Sequence, residues 1–165
     1  MSTEFGESFV GDGSDAAHVN TVLGAVGGPV ETAWVTALAT PRTGHAAFVA
    51  TVQPGVAVRP FTLFVNKAAI EGERHAALTW GAAQAGVAAG VMAAVAEGTI
   101  DEGDAPALLL VAAVWVNPEA SDEQAVFDNN RTATMEALRA GRAGRPSVAE
   151  ALAARDRPFN AYYRA

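Results

Sequence analysis

The sequence predicts an α+β fold, a two-layer sandwich in which a mixed sheet is covered by helices. Three observations predict it. Hydrophobic periodicity changes along the chain in the order strand, strand, helix, strand, strand, helix, strand, helix. The segment Leu108 to Val116 is apolar at every position and suits a central strand buried on both faces. The 165 residues, half of them hydrophobic and without repeats or linkers, are enough for a single domain, 1–165, with its own core.

The elements follow in order. Glu4 to Val10 alternates and reads as a first strand. Gly11-Asp12-Gly13-Ser14-Asp15 is turn material. Ala16 to Leu23 reads as a second strand, which puts His18, Asn20 and Val22 on one face. After a glycine loop, Pro29 suits the first turn of a helix running to Ala39, with Val30, Trp34 and Leu38 as its apolar stripe. Thr40 to Gly44 ends it, and a strand is expected over Ala46 to Val52. Pro54-Gly55 makes a turn before a strand from Phe61 to Lys67. Its row Phe61, Leu63, Val65, Lys67 places the lysine at the rim of an apolar surface.

The longest helix is expected over Gly72 to Glu97, with Gly98 closing it. Its centre is built of small residues, so another layer can approach closely. Pro106 to Val116 is the central strand, and Ser121 to Ala140 a long helix opened by Ser121 and two acidic residues. Ser147 and Glu150 form a capping box for a short helix, Val148 to Ala154. The aromatic tail, Arg157 to Tyr163, reads as a segment that docks on the body or on a neighbouring subunit.

Composition narrows the function. The formal charge is −7, with no basic stripe, which speaks against nucleic acid as a partner. There is no cysteine, so disulfides, thiolate nucleophiles and Cys-ligated metals are excluded. The N-terminus has neither a basic start nor an apolar run, and the apolar window 82–96 is shorter than a membrane span. A cytoplasmic protein without a membrane partner is expected. Neither a dinucleotide-binding loop, a Walker loop nor a nucleophile elbow is present.

Candidate chemistry rests on few residues. His18 follows a Gly/Asp loop, and histidine is the side chain that titrates near neutral pH. The three histidines, 18, 45 and 75, lack the close spacing of a zinc site, so no metal is expected. Lys67 is the only lysine among eleven basic residues. An ammonium can enter a pocket and shift its pKa, whereas a guanidinium holds its proton. Gln84 sits inside the small-residue run, as either a cap on a packed surface or a ligand contact. Asn66, before Lys67, carries the same two readings.

The whole pattern resembles the formaldehyde-activating enzyme family. The resemblance is carried by Val10-Gly11-Asp12-Gly13 with Ala17-His18, Gly27-Gly28-Pro29, Asn66-Lys67, Gly81-Ala82-Ala83-Gln84, Ala96-Glu97-Gly98-Thr99-Ile100, Asn117-Pro118-Glu119-Ala120 and Arg157-Pro158-Phe159. It implies a hydro-lyase that condenses formaldehyde with tetrahydromethanopterin, a co-substrate, to the methylene adduct and water. It implies a fold similar to the second domain of a ribosomal small-subunit protein, and a homopentamer with pterin sites between subunits. His18 is then the general acid, and the pterin-contacting positions are Asn20, Val49, Lys67, Ala69 and Gln84. The chain departs from the family at Asn20, where Asp is usual, at Ala69, where Thr is usual, and at Val49, commonly Leu. Asn117 and Arg157 stand where histidines are common. Asn20 matters most, because an amide carries no charge to pair with an amine or a histidine. A related carrier such as tetrahydrofolate, or a pterin- or aldehyde-binding role without catalysis, stays open.

Overall fold

The computed structural model describes residues 2–160. Its centre is a five-stranded mixed sheet. The strands are β1 (Glu4–Val10), β2 (Ala17–Ala25), β3 (Phe48–Val49), β6 (Phe61–Asn66) and β7 (Leu108–Trp115), in spatial order β1-β2-β7-β6-β3. The all-apolar strand β7 is indeed central, antiparallel to β2 and parallel to β6. A parallel pair needs a long crossover. The helical segment between β6 and β7 supplies it: α2 (Gly72–Ala77), a π-helical turn (Leu78–Ala83) and α3 (Gln84–Ala96).

Helices α3 and α4 (Glu123–Arg142) cover one face of the sheet. The core between them and the sheet holds Val19, Phe64, Val87, Val91, Leu110 and Val114. Glycines let α4 approach both α3 and β1 closely. A Cβ on Gly86 would stand 2.4 Å from the Phe127 carbonyl oxygen, and one on Gly6 of β1 only 1.9 Å from that of Ala137. The segment Gly72–Ala96 is long and apolar enough to cross a membrane, contrary to the shorter span expected, but 56% of its apolar window is buried inside the molecule. Core packing accounts for its hydropathy.

Helix α1 (Pro29–Ala39) lies on the opposite face, where Val30 meets Gly24. Its expected stripe is only partly covered: Val30 is buried, Trp34 half-buried and Leu38 exposed. The expected strand 46–52 is broken at Ala50. Ala50 N–H donates to the Thr62 carbonyl and its own carbonyl accepts from Val58, so the chain leaves the main sheet. It continues as a separate hairpin of β4 (Thr51–Gln53) and β5 (Val56–Ala57).

Three boundaries differ from expectation. The cap of α4 is Asp122, whose carboxylate accepts from Ala125 N–H at 3.0 Å, and not Ser121. The cap of α3 is Glu97, with Gly98 following at φ +81°. Pro106 falls in a short 3-10 turn before β7. The capping box of α5 (Val148–Ala154) is present as expected. In the tail, Phe159 is exposed and does not dock on this chain; Ala161, Tyr162 and Tyr163 lie outside the described residues.

Candidate functional site

Strand register brings the site together. Glu7 of β1 pairs with Asn20 of β2, and Phe9 pairs with His18. Across β2, Ala113 of β7 pairs with Asn20, and Trp115 pairs with His18. On the far side of β7, Val65 of β6 pairs with Ala113. Lys67, two residues beyond Val65, comes level with Trp115 and so with His18, and its N–H still donates to the Val114 carbonyl at 2.7 Å. By alternation, Glu7, His18, Asn20 and Lys67 all stand on the face that α3 and α4 leave free.

The side chains then converge. The Lys67 ammonium donates to Asn20 Oδ1 at 2.7 Å and lies 3.2 Å from His18 Nδ1. His18 Nε2 lies 2.8 Å from the Glu7 carboxylate. The Phe9 ring flanks the imidazole, with centroids 5.9 Å apart. Lys67 is half-buried. Burial pulls its pKa down from the ordinary lysine value to about 8, against the upward pull of the Glu7 carboxylate. An ammonium that close to neutrality can both give and take a proton, which is the chemistry a single retained lysine permits and an arginine does not.

The other expected positions stand on β3, in the loop after β6 and on α3. Val49 is half-buried on the edge strand β3, paired with Leu63. Ala69 is exposed in the loop after Lys67, close to Gly44. Gln84 is buried at the start of α3, just after the π-helical turn, where departures from regular helix often mark functional sites. Its amide spans one residue of backbone: Oε1 accepts from Thr51 N–H at 2.8 Å, and Nε2 donates to the Thr51 carbonyl at 3.3 Å. It therefore clamps the chain two residues beyond Val49, and its hydrogen bonds go to Thr51 rather than to His18, Asn20 or Lys67. Asn66 is structural, since its amide donates to the Gly44 and Ala68 carbonyls at 2.8 and 2.7 Å and so shapes the Lys67 loop.

Beyond Val65 lies a cavity of about 360 Å³, bordered by Thr40, Pro41, Arg42 and His45. His45 Nδ1 donates to the Asn66 carbonyl at 2.9 Å, which turns its Nε2 away from that bond. His75 is buried elsewhere, between the Glu71 N–H and the Val116 carbonyl. The three histidines thus sit in three separate environments, and among the described residues no group of three or more His, Asp or Glu side chains could hold a metal ion.

Glu7 is the site residue that sequence reasoning missed. The signal was available: a carboxylate in the same strand row as Phe5 and Phe9 interrupts an apolar surface.

Residues 5–163 match the model of the formaldehyde-activating enzyme family. The chain is 40% identical over 156 residues to the 5,6,7,8-tetrahydromethanopterin hydro-lyase of Methanosarcina barkeri, covering 94% of this chain and 88% of that one. It is 33% identical to the bifunctional enzyme Fae/Hps of Methanosarcina mazei and 31% identical to that of Methanosphaerula palustris. Those two matches cover 88% and 96% of this chain but only 37% and 40% of the longer relatives. On a match that spans nearly its whole length, the chain belongs to the formaldehyde-activating enzyme family.

Proposed function

We propose that this protein condenses formaldehyde with tetrahydromethanopterin, giving 5,10-methylenetetrahydromethanopterin and water, with His18 as the general acid. The observation that carries the reading is the meeting of His18, the only lysine and Asn20 at one point on an open sheet face, in a chain of this family. The name of the Methanosarcina barkeri relative supports the same carrier and the same hydro-lyase chemistry.

The reaction needs a timed proton and good alignment, no more. One carrier nitrogen adds to formaldehyde and gives a carbinolamine. His18 protonates the departing hydroxyl, the C–O bond breaks, and water leaves an iminium ion. The second nitrogen closes the ring and releases a proton. Lys67 and Asn20 hold a polar edge of the pterin. Val49 and Ala69 border it. Gln84 fixes the strand beside Val49, and its amide keeps one further N–H to offer. No metal takes part. In this reading the chain is a single cytoplasmic domain with the fold of the second domain of a ribosomal small-subunit protein. It acts as a homopentamer whose sites lie between subunits, without nucleic-acid or membrane partners.

One observation favours a second reading. Asn20 gives Lys67 a neutral acceptor where the family commonly supplies a carboxylate, and Ala69 supplies no hydroxyl. A different carrier, such as tetrahydrofolate or another reduced pterin, suits a site retuned in this way.

Formaldehyde consumption with each carrier, against the spontaneous background and beside a His18→Ala variant, separates these readings. The expected result is acceleration with tetrahydromethanopterin that falls by about 100-fold or more in the variant. Acceleration with tetrahydrofolate alone would select the second reading. Acceleration with neither would leave a binding protein, and a His18→Ala variant at full rate would remove His18 from the chemistry.

A further inference from the structure

His18 has no ring nitrogen free to meet a substrate. Nδ1 faces Lys67 at 3.2 Å and Nε2 faces Glu7 at 2.8 Å. Any proton that His18 delivers must therefore leave from a nitrogen that is already engaged. The two partners are not equivalent. Glu7 is 58% exposed and can be displaced by an entering hydroxyl. Lys67 is half-buried and held a second time by Asn20.

We propose that Lys67 and His18 work as one proton relay, in which the Lys67 ammonium supplies, through His18, the proton that expels hydroxide as water. This rests on the condensation reading above. Before the step, Lys67 donates to His18 Nδ1 and to Asn20 Oδ1, and the neutral imidazole carries its hydrogen on Nε2. The substrate hydroxyl takes the place of Glu7. The Nε2 hydrogen passes to that oxygen as the C–O bond breaks, and the nitrogen lone pair of the carbinolamine forms the iminium bond. The Lys67 proton moves to Nδ1 at the same time. The relay is left with a neutral amine and an Nδ1–H imidazole. Ring closure then releases one proton from the second carrier nitrogen, and that proton recharges the pair. Atoms and charge balance over the cycle, with water as the only other product.

The environment suits this role. Burial already places Lys67 close to the pH at which it gives up a proton. Asn20 accepts from Nζ whether the amine is charged or neutral, so it holds the geometry in both states and favours the ammonium less than a carboxylate would. A carboxylate in its place would favour the ammonium and stiffen the relay. The charged group acting on both members from the neighbouring strand is Glu7. Lys67 is thus the proton source and His18 the group that meets the substrate.

The single lysine makes the test clean. Full-length protein labelled with carbon-13 at lysine Cε gives one side-chain resonance, which is titrated without substrate in the parent, Asn20→Asp and His18→Gln proteins. The pH profile of kcat is then measured for the parent, Asn20→Asp and Lys67→Arg, with whichever carrier is accelerated. The expected result is a Lys67 midpoint near 8 that moves up by about one pH unit in Asn20→Asp. The alkaline limb of kcat should move with it. Lys67→Arg, which keeps charge and donors but holds its proton, should retain KM within a few-fold. It should lose kcat by about tenfold or more, together with the limb near pH 8. A Lys67 midpoint at the ordinary lysine value, or a Lys67→Arg protein with parental kcat and profile, would overturn the relay. If no carrier is accelerated, the condensation reading fails, while the lysine titration still decides whether the pair is coupled.

Discussion

Lys67 is the residue whose environment departs furthest from ordinary chemistry at the site. Its charged form is disfavoured by burial, so its folded pKa of about 8 lies below the unfolded value of 10.5. The sign follows from linkage. Between those values the unfolded chain binds more protons than the folded one, and stability rises with pH. The destabilisation is therefore fully present below about pH 8 and is relieved as pH climbs toward 10.5. Lys67→Met should raise the melting temperature at pH 7 by about 2–4 °C. That corresponds to about 1 kcal/mol once solvent screening at a half-exposed site is allowed for. The gap between variant and parent should narrow by pH 10.5, as scanning calorimetry at the two pH values will show; an equal gap at both would mean that the charge is not what the site resists. Much of this was legible in the residues. Period-two alternation put His18 and Asn20 on one face, and the solitary lysine at the rim of an apolar row stood out among arginines. Glu7 escaped notice for a physical reason. Alternation assigns a residue to a face but not to a neighbour, and only the Glu7–Asn20 register in the β1–β2 hairpin brings the carboxylate to His18.

Among the elements, the long crossover helix shows how composition and geometry divide the work. Its small residues predicted close packing, and the close packing is asymmetric. Gly86 and Gly90 face the backbone of α4, where a Cβ on Gly90 would meet the Arg131 carbonyl oxygen at 2.7 Å. Gly81, in the π-helical turn, faces open space. The same substitution should thus have opposite consequences. Gly86→Ala gains helix propensity of about 1 kcal/mol but forces two helices apart. It should destabilise by about 1–3 kcal/mol in a denaturant melt. Gly81→Ala should be neutral or stabilising by up to about 1 kcal/mol. Equal effects at the two sites would mean that the α3–α4 contact does not depend on glycine. The π-helical turn itself left no trace in the pattern, because six residues, Leu78–Ala83, are too few for apolar spacing to distinguish a wider turn from a regular one. The break at Ala50 was hidden for a related reason: 46–52 is apolar at every position but Thr51 and reads as one strand, and only the two backbone bonds of Ala50 show where the chain leaves the main sheet.

At the scale of the whole molecule, the sheet has one face filled by α3 and α4 and another that α1 covers only at one end. On the partly covered face, the edge strand β1 presents Phe5 and Phe9, which are 69% and 42% exposed, in the same rows as Val22 and His18. Aromatic side chains left in water beside a polar cluster suit an interaction surface. This supports the assembly proposed above, because Phe5 and Phe9 share a sheet face with Glu7 and His18. A neighbour that buried the phenyl rings would seal the reacting centre from bulk water, which strengthens its electrostatic interactions. Assembly and activity should then be lost together. Phe5→Asp places a charge in the contact without touching His18, Asn20 or Lys67. In analytical ultracentrifugation it should shift the parent from a five-fold multiple of the chain mass toward the single chain. Turnover per chain should fall by tenfold or more in parallel, and raising the protein concentration should restore it. A parent that sediments as a single chain at full turnover would show that one copy builds the whole site. A dissociated Phe5→Asp protein with undiminished turnover would separate the assembly from the chemistry.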